Sequence, residues 1–142
     1  MSVVLGESTA SSDVLRDEYS EFARAAVAAA LADGLIVPIL WSYEVQNGLS
    51  VALRRKRIDF ATAQTVLDRL RSLRAQLRVP CGLGEELRLA HAYALTAYDA
   101  AYLAVALATG ATLATNEKRM RDGAERLGSA LFKLRSADDR PA

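Results

Sequence analysis

Short apolar runs recur along the chain, each too brief to form a packed helix. Val3-Val4-Leu5 stops at Gly6, Leu35-Ile36-Val37 at Pro38, and Leu77-Arg78-Val79 at Pro80; Ala111-Thr112-Leu113-Ala114 follows Gly110, and residues 130–134 form a last run. Runs of this length, apolar without strict alternation, suit strands buried on both faces of a sheet. The intervening segments have helical length and spacing. Residues 8–32 read as one or two helices closed by Asp33-Gly34. Trp41, Val45, Leu49, Val51 and Leu53 keep a roughly helical spacing despite Gly48. Residues 59–73 form a helix with Ala61, Ala63, Val66, Leu67 and Leu70 inward, and further helices cover 85–94, 98–108 and 117–126. Strands alternating with helices predict an α/β fold, a three-layer α/β/α sandwich around a mostly parallel sheet.

One domain accounts for the whole length. The 142 residues read as a single unit over 1–135, followed by a polar tail over 136–142. The charge balance, 18 Lys and Arg against 17 Asp and Glu, gives no reason to expect a polybasic nucleic-acid or membrane binder. The single cysteine, Cys81, cannot close an intrachain disulfide and has no second thiol at metal-ligand spacing. Residues 25–32, the longest apolar run, are far short of a membrane span. A basic, apolar leader is not seen at the start, so the expected location is cytoplasmic, with no membrane contact.

In open α/β sheets ligands gather beyond the carboxyl ends of the strands, where helices begin. Three acids stand at such junctions: Glu44 after the second strand, Asp99 at the start of the helix over 98–108, and Glu117 after the strand over 111–114. Each also fits a local role. Thr96-Ala97-Tyr98-Asp99 has capping-box spacing, and Thr115 suits an N-cap for the helix carrying Glu117. Asp99, however, is followed by Ala100, Ala101, Tyr102, Leu103, Ala104 and Val105. A carboxylate on so apolar a helix needs a partner or a cation if it is buried.

These residues also carry a family pattern. Pro38-Ile39-Leu40-Trp41-Ser42-Tyr43-Glu44-Val45-Gln46-Asn47, Tyr98-Asp99-Ala100-Ala101-Tyr102-Leu103-Ala104-Val105-Ala106 and Leu113-Ala114-Thr115-Asn116-Glu117 occur in order behind an N-terminal strand. The set resembles the PIN-domain nucleases, and most closely the VapC toxins of bacterial toxin–antitoxin pairs, over residues 3–132. The resemblance implies a PIN-like fold and a metal-dependent endoribonuclease that cleaves RNA with Mg²⁺ or Mn²⁺. By the same resemblance, Glu44, Asp99 and Glu117 would be the metal-site carboxylates; hard divalent cations take oxygen ligands. Thr115 would orient a water or phosphate, and Asn47, one turn beyond Glu44, would support the cleft. Arg54, Arg55 and Arg57, in the run Arg54-Arg55-Lys56-Arg57, would hold substrate phosphates at its margin, with Arg69, Arg71 and Arg74 extending that surface. Further implied are a homodimer and a cognate VapB-like antitoxin, with DNA reached only through the antitoxin.

One position departs from the family. Its first acid normally ends the N-terminal strand, where this chain has Gly6; the neighbouring Glu7 would point to the opposite face of a regular strand. The chain is then a nuclease with an altered metal site, a catalytically silent fold that binds antitoxin or RNA, or a toxin carrying an inactivating change. Other candidates are weaker. His91 lacks a nearby Cys or His, Gly82-Leu83-Gly84 lacks the third glycine of a dinucleotide loop, and Cys81 lacks a placed histidine. Tyr98 and Tyr102 read as packing residues.

Overall fold

The computed structural model describes residues 2–5, 21–79 and 82–133. Within them β1 (Val3–Leu5) is followed by α1 (Glu21–Asp33), β2 (Ile36–Pro38), α2 (Leu40–Arg54) and α3 (Phe60–Ser72). Then come β3 (Gln76–Arg78), α4 (Glu85–Tyr93), α5 (Ala97–Thr109), β4 (Thr112–Ala114) and α6 (Lys118–Arg126). β1 pairs with β4 and β2 with β3, both in parallel. A parallel bridge from Val3 to Leu35 joins the two pairs, with Val3 N donating to Gly34 O at 2.9 Å. The row is therefore β3-β2-β1-β4, extended by a parallel bridge from Leu113 to Leu131. Every side chain of β1 is buried. Alternate strand residues face opposite ways, so helices cover both faces: the predicted three-layer sandwich.

Local chemistry sets the helix ends. Asp59 Oδ1 accepts from Thr62 N at 2.7 Å and caps α3; Thr96 Oγ1 accepts from Asp99 N at 3.0 Å and caps α5. Gly110, at φ +70°, closes α5 with its N–H on Ala106 O. The alanine-rich α1 buries Phe22, Ala23, Ala26, Val27 and Ala30, a helical stripe whose small side chains allow close packing. α2 runs unbroken through Gly48.

Several sequence expectations are corrected. Ala61 is exposed on α3, whose buried residues are Ala63, Val66 and Leu70; two residues turn a helix by roughly 200°, so Ala61 and Ala63 cannot share a face. The third strand begins at Gln76 rather than Leu77 and is exposed throughout, because it is the edge of the row. Tyr98 is 66% exposed and does not pack in the core. The last run contributes only the bridge at Leu131, Leu134 lying outside the described residues. Among the described residues no helix is long and apolar enough to cross a membrane.

Candidate functional site

The parallel register brings Leu5 of β1 beside Ala114 of β4, so both strands end at one level. Gly6 and Glu7, the positions where the sequence departs from the family pattern, lie outside the described residues, as does Cys81. Beyond β4 the chain turns at Thr115, which is only 6% exposed. Its Oγ1 accepts from Glu117 N at 3.1 Å and donates to Met120 Sδ at 3.8 Å, while Arg121 Nη1 donates to Thr115 O at 3.3 Å. The hydroxyl thus fixes the backbone that presents Glu117. The N-cap of α6 is Glu117 itself, in extended conformation and without a side-chain cap bond, rather than Thr115.

Asp99 comes from the first turn of α5, held there by the Thr96 cap. It lies near enough to the Glu117 carboxyl group for its charge to act on that acid. Although Glu117 is exposed as a residue, its pKa is pushed above the usual glutamate value. Partial loss of water around the carboxyl group contributes most, then repulsion from Asp99 and the hydrogen bond with it; Arg119 opposes these. Arg119 also donates from Nη1 to Ala94 O at 3.3 Å. Two like charges held together in this way favour a proton or a cation between them. Paired carboxylate oxygens are the donor type that Mg²⁺ and Mn²⁺ take, and Mg²⁺ is commonly held by one or two carboxylates plus waters. In donor chemistry the pair fits a hard divalent ion.

Glu44 sits in the second turn of α2, not the first, and is half-buried. Its Oε1 accepts a hydrogen bond from Tyr102 Oη at 2.6 Å. Tyr102 is three residues beyond Asp99, so the two share a face of α5. The fold therefore brings Asp99 into electrostatic reach of Glu117 and ties Glu44 to the helix of Asp99 through a tyrosine. Among the described residues no three His, Cys, Asp or Glu side chains form a cluster able to enclose a metal ion.

The remaining sequence candidates lie farther out. Asn47 is exposed on α2. Arg54, Arg55 and Arg57 are exposed at the far end of α2, Arg54 roughly 15 Å along the axis from Glu44; its Nη1 donates to Ser50 Oγ at 3.1 Å. Arg71 and Arg74 line a groove of about 410 Å³ between α2, α3 and β3, with Trp41, Val45 and Leu70, and none of the three acids lines it. Arg71 also pairs with Asp68 at 2.6 Å. Sequence reasoning missed Tyr102 and Arg119. The signal for Tyr102 was its place three residues after Asp99, which helical spacing puts beside the acid.

Comparison with known proteins agrees with this geometry. The family model described as the PIN domain matches residues 8–126. No curated protein sequence matches the chain. Among solved structures, the crystal structure of PAE2754 from Pyrobaculum aerophilum aligns with a TM-score of 0.67 at 24% identity. The alignment covers 87% of this chain and 84% of that one, a likeness of fold.

Proposed function

The chain belongs to the PIN-domain family, and from that premise we propose that it is a divalent-metal-dependent endoribonuclease, the VapC-like toxin of a toxin–antitoxin pair. The observation that carries this reading is the Asp99–Glu117 pair beyond the end of β4, whose mutual repulsion helps raise the Glu117 pKa. Asp99 and Glu117 would hold Mg²⁺ or Mn²⁺, with Glu44 as the third acid. When bound, the ion supplies an activated water and offsets negative charge on the reacting phosphate.

The protein's own groups do the rest. The Thr96 cap fixes the first turn of α5 and so the root of Asp99. Thr115 holds the backbone of Glu117, acting through that acid rather than on the substrate. Arg119 places a cation beside the pair, where a phosphate would otherwise meet only carboxylates. Arg54, Arg55 and Arg57 serve more distant phosphates of the same RNA, and Asn47 supports the α2 side of the cleft. A homodimer, a VapB-like antitoxin whose peptide arm covers the cleft, and a cytoplasmic location complete the proposal.

Gly6 favours a second reading, a PIN fold that binds RNA or antitoxin with impaired cleavage. One set of assays with RNA and Mn²⁺ separates the two, using the chain as it stands, Gly6→Asp and Asp99→Asn. The expected result is slow metal-dependent cleavage, faster in Gly6→Asp and slower on the order of 100-fold in Asp99→Asn. Activity in Gly6→Asp alone would establish the impaired fold. If no variant cleaves RNA and millimolar Mn²⁺ leaves Tm unchanged, the nuclease reading is wrong.

A further inference from the structure

Tyr102 is 2% exposed, in the middle of the apolar helix α5. A buried phenol needs a hydrogen-bond partner. This one finds a carboxylate 58 residues away in sequence, at 2.6 Å, the short range of a hydroxyl on a charged acceptor. The bond crosses from α5 to α2 and ends on Glu44, the acid proposed above as the third. We propose that Tyr102 is a positioning residue: its hydroxyl holds the Glu44 carboxylate against the face of α5 that carries Asp99.

The need for such a group follows from Glu44 itself. A glutamate has three side-chain torsions, and Glu44 is only half-buried, so packing alone does not fix its carboxylate. Asp99 is placed by a capped helix turn and Glu117 by the Thr115 turn; the hydrogen bond from Tyr102 restrains Glu44 in the same sense. Tyr102 is itself immobile: its ring is enclosed in the core, and α5 lies against β1, β2 and β4. Rigid groups behind a ligand typically change metal affinity by about 10- to 100-fold when removed.

The inference rests on the metal-site reading above, and Mn²⁺ titration by calorimetry separates the two. The proteins are the unmodified chain, Tyr102→Phe, Glu44→Asp and the double variant. Tyr102→Phe removes one oxygen and keeps the ring. Glu44→Asp keeps the charge but withdraws the carboxylate by about one bond length, beyond hydrogen-bond range of the phenol. Tyr102→Phe is expected to bind Mn²⁺ about 10-fold more weakly. The double variant should bind no more weakly than Glu44→Asp alone, because both changes break the same bond. Mn²⁺ affinity in Tyr102→Phe equal to that of the unmodified chain overturns the inference and leaves the nuclease reading standing. So does full additivity in the double variant, since a mere strut between helices would lower metal-free Tm without coupling to Glu44. An unmodified chain that binds no Mn²⁺ overturns the nuclease reading, and the inference with it.

Discussion

Glu117 and Asp99 are acids that the fold presses together, and this sets how the protein responds to pH. The raised Glu117 pKa means that the folded chain holds a proton more tightly than the unfolded chain. Stability contributed by protonated Glu117 is therefore full below the ordinary glutamate pKa and is lost as pH rises from that value through the raised one. Above the raised value both states are ionised and the repulsion is present in full. Glu117→Gln is accordingly expected to stabilise the metal-free protein at pH 7 by on the order of 0.5 kcal/mol, as befits an exposed position. Thermal melts would read this as a rise of about 1–2 °C. The same variant should lose the stabilisation that millimolar Mn²⁺ gives the unmodified chain. A Glu117→Gln protein that melts lower without metal would show the repulsion to be absent. At this scale the sequence made the three acids legible as candidates: Asp99 and Glu117 stand at helix starts, and Glu44 one turn into α2. Nothing in residue type or spacing reveals which two touch. The 18 bases and 17 acids average over a local excess of negative charge that arises only when β4 and α5 are brought side by side.

At the scale of elements, the site depends on how α4, α5 and α6 lie on one another. Gly123 of α6 marks the close approach: a Cβ there would meet Tyr93 Cγ of α4 at 3.2 Å and Leu103 Cδ2 of α5 at 3.4 Å. The absent side chain lets α6 settle against both helices, and α6 begins immediately after Glu117. Gly123→Leu is expected to destabilise the fold by about 1–3 kcal/mol through overpacking, seen as a lower urea midpoint with unchanged slope. A midpoint at or above that of the unmodified chain would mean that better helix propensity outweighs the crowding. The elements were largely legible, because hydrophobic period and stop residues are local signals: Asp33-Gly34 ends α1, Thr96 opens α5 and Gly110 closes it. The errors had tertiary causes. β3 is exposed because, among the described residues, no strand pairs with its outer edge. Ala61 points outward because the inner stripe of α3 is set by Ala63, Val66 and Leu70, and an alanine alone cannot announce which face it occupies.

For the whole molecule, α5 is the central element, resting on β1, β2 and β4 and flanked by α4 and α6. Leu103, fully buried at 0% exposure, sits in its middle. Leu103→Ala is expected to cost about 2–5 kcal/mol, a large part of the roughly 5–15 kcal/mol that holds a domain of this size together. Because one helix supports the sheet and carries both Asp99 and Tyr102, the loss should reach the site as well. Mn²⁺ binding and the thermal transition are expected to weaken together, and an unchanged Tm would exclude Leu103 from the cooperative core. Ala61→Ser, on the outer face of α3, should change stability by less than about 0.5 kcal/mol in the same melt. By itself the sequence determined the alternation of strands and helices, the parallel α/β layering, the Thr96 cap of α5 and the family pattern around Glu44, Asp99 and Glu117. Each is carried by short local motifs, within which the residues stand a few positions apart. The tertiary structure alone decided that Asp99 comes within electrostatic reach of Glu117 and that Tyr102 reaches Glu44 across 58 residues. Those relations depend on strand order and helix packing, long-range contacts that leave no periodic trace in the chain.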